Sequence, residues 1–359
     1  MGRQSMTASA LTRRSLLGGL GGGLAAAGAC GASLWRTAAA KDDAPNEPLA
    51  IEVKARALPH FQPSKPGANR FGDLEYRGGL VLTSPSEHFG GWSGLVMDAD
   101  GMRLLAVSDV GTWMSASLTY GDNGAPAGLT QARIGPLLAL SGRLLRDKRE
   151  QDAESVALLD GSLEHGTLLI GFERVHRIGR FNIRDGQVQA PTEYLRRPPN
   201  SHMPTNQGFE AVTVIRAGEL KGSPVAFAER FTRRSGYHSG WIWVNGRPQL
   251  IQLEDIDGFN ITDAVGLPDG GLLILERYFR WTAGVHMRIR RLLPGEVKPG
   301  AKLAGHVVLQ ADTGYEIDNM EGMSVHRGSR GETVVSLISD NNFHTFWQRT
   351  VFLQFTLVE

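Results

Sequence analysis

A single cysteine in 359 residues leaves no partner for an internal disulfide, so packing has to hold this chain together. Charge of one sign is lacking as well. Lys and Arg number 38 against 37 Asp and Glu, and a protein that grips nucleic acid through its phosphates would show a basic excess. Long amphipathic helical stretches are scarce, whereas short apolar runs such as 104–107, 167–170, 271–275 and 333–338 are plentiful, which points to a mostly β chain. No Gly-x-Ser-x-Gly nucleophile elbow occurs. Its nearest approach, Gly322-Met323-Ser324-Val325-His326, lacks the closing glycine, which argues against a serine-triad esterase. Histidine and thiolate ligands are not concentrated anywhere, which disfavours a zinc site.

The first forty residues read as an address. Thr12-Arg13-Arg14-Ser15-Leu16-Leu17 sets an arginine pair ahead of a Gly/Ala/Leu stretch that ends near Ala29, too short to span a membrane as a mature helix. The arrangement resembles a twin-arginine export signal handled by the twin-arginine translocation machinery, with Ala38-Ala39-Ala40 as the small-residue cleavage site. A periplasmic or secreted protein, with no transmembrane span in the mature chain, is the expectation. Cys30 lies inside this segment and offers an alternative lipid anchor, although the bulky apolar residue usually found three positions upstream is missing. Removing residues 1–40 takes away four arginines and no acids, leaving 34 basic against 37 acidic residues. Residues 41–68 are charged and Pro-rich and read as an arm or linker, with a β domain over 69–359.

The most informative feature is a repeat. SGLVMDADGMRLLAVSD from Ser93, ESVALLDGSLEHGTLLIGFER from Glu154, FEAVTVIRAGELKGSPVAFAER from Phe209, TDAVGLPDGGLLILER from Thr262 and MEGMSVHRGSRGETVVSLISD from Met320 each read as two strands and a turn. Starts about fifty to sixty residues apart signal an array of supersecondary units that bury their faces on one another, as the blades of a β-propeller do. The segments 73–77 and 79–82 and the terminal 351–357 also read as strands and can close one composite blade that hides the edges. Five internal repeats and that blade predict six.

Acids open and close these repeats. Glu154, Glu210, Asp263 and Glu321 begin first strands, while Asp109, Glu173, Glu229, Glu276 and Asp340 end second strands, so equivalent blades would converge them on one end of one axis. Arginine follows three of the closing acids, as Glu173-Arg174, Glu229-Arg230 and Glu276-Arg277. Such guanidinium forks either grip phosphate or carboxylate oxygens or tie neighbouring blades.

The openings Asp152-Ala153-Glu154-Ser155, Asn206-Gln207-Gly208-Phe209-Glu210-Ala211 and Asn319-Met320-Glu321-Gly322-Met323, with Ser339-Asp340-Asn341-Asn342 near the end, are together similar to the bacterial phytase-like family described as having esterase-like activity of phytase. That resemblance covers most of the chain after about Phe71. It implies a secreted six-bladed propeller associated with ester or phosphoester hydrolysis.

Crowded carboxylates raise one another's pKa unless a cation neutralises them, and a hard divalent ion, Ca2+ first, suits oxygen ligands. Glu154, Glu173, Glu210, Glu229, Asp263, Glu276 and Glu321 are the expected ligands. The catalytic subset is Asp109, Glu210, Glu321 and Asp340, whose short polar or Gly-containing flanks admit substrate. Arg174, Arg230, Arg277 and His202 are the expected substrate-binding residues, with His202 placed to act as a general acid from the Pro-rich loop 196–206. The leading expectation is a metal-dependent hydrolase of a small phosphate or carboxyl ester. A non-catalytic propeller that binds a ligand or envelope component, and a quinone-dependent propeller dehydrogenase, are the other readings open at this point.

Overall fold

The structure, a computed structural model, describes residues 44–199, 208–228, 236–280, 282, 284–344 and 346–358. Almost every regular element in it is a strand. Two-residue loops make several of the hairpins: Asn245-Gly246 and Asp185-Gly186 both hold positive φ at each residue, between pairs Val244/Arg247 and Arg184/Gln187. That twist suits flanking strands, and Asn, Asp and Gly tolerate it best.

The described strands form five sheets, antiparallel except where Arg247–Glu254 pairs in parallel with Lys302–Leu303, and each begins on the predicted repeats. Blade I starts with Trp92–Met97, blade II with Ala153–Gly161, blade III with Phe209–Val214, blade IV with Asn260–Gly266 and blade V with Asn319–Arg327. These first strands neighbour one another in a closed circuit, I to II to III to IV to V and back to I, and so form the inner ring of a β-propeller. The expected sixth blade is not found among the described residues. Thr350–Leu357 pairs with Thr333–Asp340, the second strand of the fifth repeat, and Leu74–Thr83 pairs with Thr350–Leu357 in turn. The chain ends therefore complete the two-stranded fifth repeat, which would otherwise expose an edge, instead of building a blade of their own.

Packing repeats with the blades. Among the described residues there are five buried apolar clusters, and each lies between two adjacent sheets. Leu105, Val107 and Trp113 of blade I meet Val156, Ile170 and Phe172 of blade II. Leu169 and Ile178 meet Val212, Val214 and Trp241 between II and III. Phe227 meets Ile261 and Leu272 between III and IV. Leu275 and Met287 meet Met320, Met323 and Val335 between IV and V. Leu95 and Met97 meet Ile338 and Phe352 where V returns to I. An apolar face on both sides of a strand explains the unbroken hydrophobic runs of the sequence.

Part of the arm within 41–68 is strand. Leu49–Ala50 pairs with the outer strand of blade I and Lys54–Leu58 with Leu74–Thr83 of blade V, so one segment edges two neighbouring blades. No helix among the described residues is long and apolar enough to cross a membrane. The export signal, Cys30, His202, Glu229 and Arg230 lie outside the described residues.

Candidate functional site

Every inner strand carries a β-bulge at the same place near its start. The residue without a partner across the ladder is Ser93 in blade I, Glu154 in II, Glu210 in III, Thr262 in IV and Glu321 in V. A bulge bends its strand and re-aims one side chain, a device common at barrel rims and beside active sites. In blades II, III and V the re-aimed side chain is a glutamate. In I and IV it is a hydroxyl satisfied by carbonyls: Ser93 Oγ donates to Gly91 O at 3.4 Å, and Thr262 Oγ1 to Met320 O at 3.3 Å.

The second strands return antiparallel to the same end. One residue past the pairing at the bulge stand Asp109, Glu173, Arg277 and Asp340 in blades I, II, IV and V. Blade IV thus places a cation where three others place an acid. Arg277 Nη1 donates to Glu321 Oε1 at 2.7 Å and bonds Asn319 Oδ1, and Asn319 Nδ2 also donates to Glu321 Oε1 at 2.8 Å.

Two expected ligands are not in this ring. Glu276 is one residue early in the register, so strand alternation turns it into the blade instead of the mouth. It is fully buried, accepting from Arg288 Nε at 2.8 Å and Arg290 Nε at 2.9 Å, with a further bond from Arg290 Nη2. Asp263 is one residue past the bulge and also fully buried. Its Oδ1 accepts from Ala264 N at 2.8 Å and its Oδ2 from Met323 N at 2.7 Å, which ties blade IV to blade V. Both carboxylates are joinery.

The connection between blades I and II adds groups the sequence reading left unassigned. Asp147 caps the short helical turn Lys148–Gln151, and that turn aims Lys148 at the ring. Lys148 Nζ lies 2.6 Å from Asp109 Oδ2 and 3.1 Å from Asp152 Oδ1. Arg174 Nε donates to Asp152 Oδ2 at 2.6 Å. Asp152 sits within the opening Asp-Ala-Glu-Ser that marks blade II, but its position before the strand, not on it, hid its part in the cluster.

Electrostatics confirm that these groups share one space. Burial, then Glu210, Asp109, Asp152 and Glu321, push the Glu154 carboxyl well above its ordinary range. Asp340 is raised by burial, Glu321 and Asp109, against the opposing pull of the Asn342 amide and Arg277. Burial would lower the Lys148 ammonium, but Asp109 and Asp152 outweigh it and hold it above its usual value. Seven acids from four blades and one connection are therefore gathered with three cations: Asp109, Asp152, Glu154, Glu173, Glu210, Glu321 and Asp340 with Lys148, Arg174 and Arg277.

The donor set fits a hard cation. Asp152, Glu154 and Glu173 each offer a carboxylate oxygen within 4.8 Å of the others. Oxygen-only donors favour an ion of the calcium or magnesium kind over zinc, and such an ion would share Asp152 with Lys148 and Arg174.

Residues 87–343, more than half of the chain, match the family model Phytase-like, described as esterase-like activity of phytase. No curated protein matches it. Similar solved structures include the crystal structure of Chaetomium thermophilum Raptor, at a TM-score of 0.35 and 12% identity over 78% of this chain and 22% of that chain. A likeness so distant carries no argument.

Proposed function

Because this chain belongs to the phytase-like family, we propose that it is an exported, divalent-cation-dependent hydrolase of phosphomonoesters or related esters, working at the acid ring of its propeller. The observation that carries the reading is the bulge-aimed convergence of Glu154, Glu210 and Glu321 on Asp109, Asp152 and Asp340. Repelled buried carboxylates cost stability, and a fold that keeps them has a use for them.

Asp152, Glu154 and Glu173, with Glu210 beside them, would hold the ion, and calcium is the first choice for such a set. When bound, a divalent cation polarises a phosphoryl or carbonyl oxygen and lowers the pKa of nearby water. The chain's own groups do the rest. Arg277, fixed by Glu321 and Asn319, presents a guanidinium at the mouth that can fork onto ester oxygens. Lys148 and Arg174 add positive charge on the opposite flank. Asp340 keeps its proton above the ordinary carboxyl range and is the donor for the leaving oxygen.

Phosphate release from p-nitrophenyl phosphate and inositol hexakisphosphate, and acyl release from p-nitrophenyl acetate, should depend on a divalent cation and fall at least tenfold in Glu154→Gln and Asp340→Asn. Turnover indifferent to chelation would remove the cation from the mechanism. A folded protein inert on all three substrates with calcium or magnesium present would leave a ligand-binding propeller in place of an enzyme. Export is tested separately: Arg13→Lys with Arg14→Lys should retain the precursor in the cytoplasm, and unchanged export on fractionation would exclude the twin-arginine route.

A further inference from the structure

The loop that follows Asp340 holds a conformation its residues resist. Asn342 and Phe343 have φ of 47° and 53°, the left-handed region, where a phenylalanine crowds its own backbone and a glycine does not. Side chains hold both residues there. Asp340 Oδ1 accepts from Asn342 N at 2.7 Å, while the buried Asn341 Oδ1 accepts from Phe343 N at 3.1 Å and Gly91 N at 3.3 Å. The Phe343 ring is thereby laid on Gly90 and Gly91. A Cβ on Gly91 would stand 2.6 Å from the edge of that ring and 2.6 Å from Asp109 Oδ1, so a half-buried aromatic ring borders the acids of the mouth. Backbone strain of this kind gathers at active sites and ligand clamps, where it holds one side chain in place.

The aromatic surface continues along the same loop. Phe346 and Trp347, edge to face at 4.9 Å, are 84% and 82% exposed, more than any other large apolar side chain among the described residues. Their loop is pinned at its base: Trp347 N and Gln348 N donate to His344 O, and Arg349 is fixed by Glu316, Asp318 and Ile317 O. Asp318 directly precedes Asn319, the partner of Arg277, so the aromatic loop is tied to the segment that orients that arginine. On blade IV, Phe279 stands two residues past Arg277, on the same side of its strand, and is 54% exposed.

Charge points the same way. Among the described residues seven carboxylates meet three cations at the mouth, and each cation is already held by an acid. One divalent ion would leave that balance on the acidic side, which disfavours a substrate crowded with phosphates over one with a single head.

Resting on the hydrolase reading above, we propose that the ester taken at the acid ring has one head group and an aromatic body, with the head received by Arg277 and the body laid against Phe343 and on the Phe346–Trp347 pair. These three aromatics determine specificity, since ring contacts add to the burial of apolar area.

Calorimetric titration of the protein with benzylphosphonate and methylphosphonate, calcium present, reads the aromatic body alone, because the probes share one head and neither can be hydrolysed. Benzylphosphonate should bind saturably and about tenfold or more tighter. That preference should fall about fivefold or more when Phe346→Ser and Trp347→Ser are combined, a change at two exposed side chains that leaves the core intact. Phe343→Gly should lower it similarly with no fall in thermal midpoint, because glycine accepts the left-handed backbone. A lower midpoint or an unchanged preference in Phe343→Gly would make Phe343 a packing residue and remove it from the site. No saturable binding of benzylphosphonate, a smaller preference, or a preference that survives the double variant would overturn the proposal. Turnover of p-nitrophenyl phosphate keeps the two readings apart: turnover without the preference removes this inference and leaves the hydrolase, and the preference without turnover leaves an aromatic-anion site and removes the hydrolase.

Discussion

Two carboxylates that look alike in the sequence, Glu154 and Glu276, live opposite lives. Glu154 is repelled by its neighbours, whereas Glu276 is clasped by Arg288 and Arg290. Glu276→Gln would strand two buried guanidiniums, so it should cost about 3–5 kcal/mol of unfolding free energy in denaturant titrations. Glu154→Gln, read in the same assay without divalent cation, should cost far less. Asp263 gives a pH signature. Burial, with a smaller push from Glu321, raises its pKa well above 3.8 despite the amides of Met323 and Ala264. The native state thus keeps the proton that the unfolded chain has already lost. Its contribution is complete below the unfolded value and is lost as pH rises towards the folded one, so stability falls across that window. Asp263→Asn should flatten the decline in stability as pH rises above the ordinary carboxyl range, measured by denaturant midpoints; an unchanged slope would assign the decline to other groups.

At the scale of the strand, the bulge decides which residues serve the mouth. In blades I and V the residue after the bulge is a glycine, because there the inner strands close on one another. A Cβ on Gly94 would stand 2.9 Å from Val156 N, and one on Gly322 would stand 2.9 Å from Gly94 C and Leu95 N. Those contacts are with backbone, which cannot turn aside. Gly94→Val should therefore cost about 1–3 kcal/mol and lower the thermal midpoint, although it touches no charged group. Hairpins, repeats and the acid pattern were legible in the sequence because they depend on near neighbours: Asn-Gly and Asp-Gly turns, apolar runs and repeated openings. The bulge was not. It is a mismatch between two strands, and counting along one strand alone makes Glu276 equivalent to Glu173 and Asp263 equivalent to Glu154. The register shift reassigns both.

Across the whole molecule, closure depends on the two chain ends meeting in blade V. Val351, Phe352, Leu353 and Phe355 are fully buried and reach both neighbouring interfaces. Deleting residues 350–359 would expose the edges of Leu74–Thr83 and Thr333–Asp340 together, and should abolish cooperative unfolding as followed by near-ultraviolet circular dichroism. A truncated chain that still melted in one sharp transition would mean that four blades and an open fifth suffice. By itself the sequence determined the all-β class, the five repeats and the presence of acids at their borders, since each follows from local pattern and spacing. Only the tertiary structure decided that the ends complete the fifth blade instead of adding a sixth, that Asp152 and Lys148 join the ring, and that Arg277 replaces an acid there. Those outcomes depend on pairing between strands hundreds of residues apart and on ring closure, and no stretch of chain carries that information alone.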